Sequence, residues 1–219
     1  MLDILLGFLV FWIILYVVGT RYRRNDKRFE VVVKPFFLQV KIKEINRYID
    51  IISRSKLSRL LRRVSPPIAA LLSIAALAFL ANNLYNFFVQ PPKFTGVTVL
   101  IPFVTVQNVT LLTYFFLSIP LILIPHELAH AMVARLEGID LKSGGFALLG
   151  LLFAGFIEPD ERQFKKAHPK KRIRILAAGS AANLAVALIF FSLVLFQPIT
   201  AVYMPQEART AFYGPPSGV

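Results

Sequence analysis

The chain has 219 residues, 56% of them hydrophobic and 13% aromatic, and its mean hydropathy of +0.63 excludes an ordinary soluble domain. Without a single cysteine it can form neither disulfides nor thiolate metal sites, so any transition metal must be held by nitrogen or oxygen. The net charge of +13 would suit nucleic acid, but its placement argues for a role in membrane topology instead.

A spanning helix needs about 20 mostly apolar residues. Four stretches qualify: Leu2 to Gly19, Pro66 to Val89, Leu111 to Ala134 and Ile175 to Phe196. The first lacks a basic leader and a small-residue cleavage site, so it reads as an anchor helix rather than a signal peptide. Of the 25 Lys and Arg residues, 14 lie in Arg21 to Arg63 and 9 in Arg135 to Arg174. If all four stretches cross, both basic segments face one side, which the positive-inside rule makes cytoplasmic. The N-terminus is then outside, and no nucleic-acid partner is needed to explain the charge. The expected fold is an all-α polytopic membrane protein of about four transmembrane helices with short β-hairpins.

Residues Phe29 to Lys43 partly alternate apolar with polar and are rich in β-branched and aromatic types, which predicts a strand or hairpin with Pro35 at an edge or turn. Glu44 to Val64 sets Ile45, Tyr48, Ile49, Ile52, Leu57, Leu60 and Leu61 among arginines at near-helical spacing, the pattern of an interfacial amphipathic helix. Pro66-Pro67 is expected to stop it and open the second span. Between spans two and three, Gly96 to Val106 suggests a short hairpin at the outer interface. Between spans three and four, Gly144, Gly145, Gly150 and Gly155 punctuate an apolar run that is too short for a span, which predicts a re-entrant loop or hairpin.

The third span contains His126-Glu-Leu-Ala-His130. On a helix the two histidines stand one turn apart on one face, so both imidazoles can hold one Zn²⁺. Glu127, about 100° round the helix, can reach water beside such an ion and act as general base. Two of the three histidines are here, and Glu127 is the only acid in the interior of any span. Ionisable groups at such depth are costly and mark functional sites. Nine residues separate His126 from Arg135, which places the site roughly 8 to 13 Å in from the cytoplasmic end of its helix. Pro120 and Pro125 just upstream can kink or unwind it, and His168 reads as a surface histidine.

Together with Ala154-Gly-Phe-Ile-Glu-Pro-Asp160 and Ala178-Gly-Ser-Ala-Ala-Asn-Leu184, this motif resembles the site-2 protease family of intramembrane zinc metalloproteases over roughly Leu111 to Phe196. The resemblance implies hydrolysis of a peptide bond within or near a transmembrane helix of another protein, with lipid and that substrate as partners, at the cell membrane. It implies a membrane-embedded hairpin offering an edge strand to the substrate, and it makes Asn183 and Gly155 candidates for substrate binding. Ser180 stands where relatives commonly have Pro. The family's third zinc ligand is an Asp in an Asp-Gly motif on a later helix, which these residues lack, so that ligand is expected beyond residue 219. The expected organisation is an anchor region (1–65), a partial protease core (66–196) and an extracytoplasmic tail (197–219) that can introduce a PDZ domain. A zinc transporter or sensor, a membrane metalloprotease acting on prenylated or soluble tails, and a catalytically silent scaffold remain alternatives.

Overall fold

The computed structural model describes residues 2–21, 28–96, 101–102, 105–106, 108–150 and 152–195. In chain order it contains α1 (Leu2–Arg21), β1 (Phe29–Lys34), β2 (Phe37–Ile42), α2 (Asn46–Ser53), α3 (Lys56–Val89), α4 (Val109–Leu136), β3 (Leu141–Leu149), β4 (Leu152–Pro159), α5 (Glu161–Lys166) and α6 (Pro169–Leu195). One compact unit is Met1–Ala182; the second, Asn183–Val219, is described as far as Leu195. The expected tail (197–219) lies outside the described residues.

Among the described residues three helices, α3, α4 and α6, are long and apolar enough to cross a membrane. The apolar stretch Leu6–Arg21 of α1 is shorter than that criterion requires. The helices extend past the predicted spans because the apolar run and the helix are different objects. In α6 the basic residues Lys170 to Arg174 form the first turns, opened by Pro169 in the first-turn position that a missing N–H suits.

Pro66-Pro67 does not stop the amphipathic segment. α3 runs unbroken through both prolines, and the break falls earlier, where Ser55 caps α3 by accepting from Ser58 N at 3.2 Å. The carbonyls that lose their donors, those of Arg62 and Arg63, lie among cations at the polar end of the helix, where water can serve them. Likewise α4 continues through Pro120 and Pro125 without unwinding. In the segment expected to form an outer hairpin, the described residues show a 3-10 turn at Pro91–Lys93 and one bridge between Pro102 and Val106. The rest of that hairpin, 97–100 and 103–104, lies outside the described residues.

Both inner hairpins form, and they join. β2 pairs with β3, giving a four-stranded antiparallel sheet in the order β1-β2-β3-β4. A lone two-stranded hairpin is marginal, whereas four strands against helices are stable. The tight turn of the first hairpin puts Phe36 in the left-handed region at φ 57°, and its ring stacks on Phe8 and meets Trp12 edge-on. Edge strand β1 thus packs along α1, while β4 is the other edge.

The core is built from small residues: Ala129, Ala131 and Ala134 of α4 cluster with Ala178, Ala181 and Ala182 of α6, joined by Ile49, Leu61, Met132 and Leu141. Small side chains let helix backbones approach, the packing that favours association in lipid. At the basic end, Arg135 grips Asp50 with two bonds of 2.6 and 3.1 Å and also pairs with Asp140. Buried Glu137 receives Arg174 at 3.1 Å.

These pairings make acid stability a test of the fold. The Arg135 guanidinium holds the Asp50 carboxyl below its ordinary value of 3.8. Gln163, followed by Arg135, does the same for Asp140. Both depressed carboxyls contribute stability above that ordinary value and lose it as pH falls through their folded values. The thermal midpoint in detergent should hold from pH 7 to about 4.5 and fall below about 3.8. Arg135→Gln should lower the plateau and flatten the fall; an unchanged acid drop in that variant would contradict the assignment.

Candidate metal centre

α4 presents two functional faces. Residues 126 and 130 are one turn apart and face α6, while Phe116, Ile119, Leu123 and Glu127, spaced by three or four residues, line the side facing the β3–β4 hairpin. Helical spacing alone thus puts Glu127 at the seam between the histidine pair and the hairpin.

The two imidazoles meet edge to face, with ring centroids 4.7 Å apart at 76° and Nε2 atoms separated by 3.1 Å. His130 Nδ1 lies 2.6 Å from the carbonyl oxygen of Ile175 on α6. A carbonyl only accepts, so Nδ1 carries a proton, which leaves Nε2 as the nitrogen that can offer a lone pair to a metal. A backbone carbonyl fixing the tautomer in this way is what a ligating histidine requires. His126 Nδ1 is buried with no hydrogen-bond partner among the described residues.

These residues fit a zinc ion. Two nitrogens at about 2.0–2.1 Å from tetrahedral zinc lie roughly 3.3 Å apart, close to the observed Nε2 separation. Gly179 of α6 lies close against both nitrogens, where an added Cβ would collide with Nε2 of His130 and with Nε2 and Cε1 of His126. No third His, Cys, Asp or Glu joins the pair among the described residues.

Glu127 is half-buried and lies against β4. A Cβ at Gly155 would come within 2.9 Å of Glu127 Cγ and 3.6 Å of Leu123 Cβ, so the glycine leaves room for the carboxylate. Glu127 lines a groove of about 590 Å³ between α4, α2 and the hairpin, bounded by Ile49, Phe116, Ile119, Leu123, Phe153 and Phe156 among others. Phe116 and Phe153 meet across it edge-on, with centroids 6.0 Å apart.

His126, Glu127, His130 and Gly155, all singled out in the sequence, therefore come together. Asn183 lies one turn beyond Gly179 on α6, and its Oδ1 is enclosed without a hydrogen-bond partner among the described residues. His168 is exposed and accepts from Lys170 N at 3.3 Å. Sequence reasoning matched Gly179 to the family motif without giving it a role and missed the Ile175 carbonyl. The run of small residues from Ala177 to Ala182 signalled close approach there, but not what approaches.

The model of the family described as Peptidase family M50 matches residues 114–214, a span that contains the histidine pair, the hairpin and α6. Residues 114–214 form an M50, site-2 protease domain. M50 peptidases are in general zinc-dependent, and membership implies a metalloprotease. The chain is also 43% identical over 72 residues to an uncharacterised protein of Methanocaldococcus jannaschii, a match covering 32% of this chain and 20% of that relative. The chain thus spans about a fifth of that relative's length. No solved structure matches.

Proposed function

We infer that the chain carries the catalytic part of an intramembrane zinc metalloprotease that hydrolyses a peptide bond within or near a transmembrane helix of another protein. The observation that carries this reading is the convergence of the His126 and His130 Nε2 atoms beside Glu127 on the wall of an apolar groove, inside the stretch that matches M50.

His126 and His130 would hold the zinc, with a third protein ligand, an Asp, supplied from outside the described residues. When bound, zinc supplies Lewis-acid activation of water and of the scissile carbonyl. Glu127 takes the proton from the attacking water as its oxygen bonds to the carbonyl carbon, then delivers that proton to the amide nitrogen as the C–N bond breaks. The Ile175 carbonyl keeps His130 in one tautomer throughout. A substrate helix hides its carbonyls in internal hydrogen bonds, so it must open locally. The free edge of β4, with Gly155 beside Glu127, suits an extended segment, and Asn183 can both donate to and accept from its backbone.

In this reading α1 also spans, with the N-terminus outside and both basic segments in the cytoplasm. The nine residues from His126 to Arg135 then place the chemistry on the cytoplasmic side of the cell membrane. Full-length protein in proteoliposomes should cleave an apolar single-span substrate, lose that activity to 1,10-phenanthroline and regain it with zinc. Zinc flux without cleavage would favour a transporter and contradict the reading.

A further inference from the structure

The groove between α4 and the β3–β4 hairpin is lined by side chains of one character. Phe116, Ile119, Leu123, Phe153 and Phe156 are apolar, and among the described residues Glu127 is the only ionisable one on its wall. Glu127 lies on its wall, the Phe116–Phe153 ring pair crosses it about 16 Å along α4, eleven residues at 1.5 Å each, and past Glu127 the lining continues to Leu128, Ile45 and Ile49. Its volume of about 590 Å³ lies in the range of roughly 300–1,000 Å³ typical of pockets that enclose a ligand. A charged or strongly polar group entering it would exchange water for aromatic rings with no partner beyond the base itself.

We propose that this groove is a specificity pocket for a large apolar side chain, of the Leu or Phe class, on the substrate residue adjoining the bond that Glu127 works on, with Leu123, Phe116 and Phe153 setting its width and depth. The proposal rests on the proteolytic reading above and deepens it. The occupant is a substrate side chain rather than a lipid chain because the carboxylate that must meet the substrate backbone stands on the groove wall. Its fit then selects among peptide bonds exposed when a substrate helix opens. A missing or added methylene in such a pocket changes efficiency about 10- to 200-fold. Leu should therefore exceed Ala by about 10- to 100-fold, and Asp should be the poorest.

The test uses the full-length, zinc-loaded protein and a series of quenched fluorescent apolar peptides that differ at one position, as Ala, Leu, Phe or Asp, scanned across the cleavage site. One position should show the apolar preference. Leu123→Trp should narrow the pocket and lower the Leu-to-Ala ratio about tenfold or more, and Phe153→Ala should raise the Phe-to-Leu ratio. A flat profile at every position, or ratios unchanged in both variants, would overturn the proposal while leaving proteolysis intact. A second arm needs no cleavage. The Glu127→Gln protein is irradiated with the same peptide carrying photo-leucine at the varied position, and labels should map to the α4 and β4 residues of the groove. Labels elsewhere on the protein, or on lipid alone, overturn the pocket. Labels in the groove without any cleavage by the native protein support the pocket and sink the proteolytic reading.

Discussion

Glu127→Gln is expected to reduce cleavage by about 10²- to 10⁴-fold, the range of a positioned general base, with zinc content close to that of the native protein. The expectation follows from position. Glu127 lies on the hairpin side of α4, against Gly155, while the converging Nε2 atoms belong to His126 and His130 on the α6 side. Glutamine keeps the size and removes the basicity, so the carboxylate's proton chemistry is the variable. Turnover of a quenched peptide and metal content by inductively coupled plasma mass spectrometry read the two properties separately. Joint loss of zinc and activity would make Glu127 a ligand and contradict the assignment.

The second large effect comes from a residue that has no side chain. Gly179→Val should strip the protein of zinc and activity, and Gly179→Ala should do so in milder form. A Cβ at that position would collide with the imidazole nitrogens of both histidines. Alanine is the better helix former by about 0.8–1.0 kcal/mol, which partly offsets a crowding cost of about 1–3 kcal/mol in a packed interior. Gly179→Ala should therefore retain helix content by circular dichroism while losing metal. Native zinc content in both variants would show that the space beside the imidazoles is not where the ion sits.

The parts legible in the sequence were those governed by local spacing. The separation of His126 from His130 fixes their face on any helix, and the glycines from Gly144 to Gly155 forbid a comfortable fifth span, so the placement of the histidine pair and the second hairpin followed directly. The union of the hairpins did not, because pairing Val40 with Phe146 joins residues far apart in the chain with no local signal. Pro66-Pro67 misled because a proline's usual cost assumes a dry helix interior, and here the freed carbonyls sit at a basic, wetted end. The role of Gly179 escaped because a glycine in a small-residue run looks like ordinary helix packing; only the positions of His126 and His130 across from it show what its missing side chain makes room for. Three spans follow from hydropathy and length, whereas the role of α1 rests on charge placement.

The most direct test of the central claim is zinc K-edge X-ray absorption on the purified full-length protein, with matched His126→Ala and His130→Ala variants. The account predicts about one zinc per chain, a first coordination sphere of nitrogen and oxygen at about 2.0–2.1 Å with outer-shell scattering from two imidazoles, and loss of the metal in either variant. Zinc retained at native levels in both variants, or a spectrum without imidazole scattering, would contradict it.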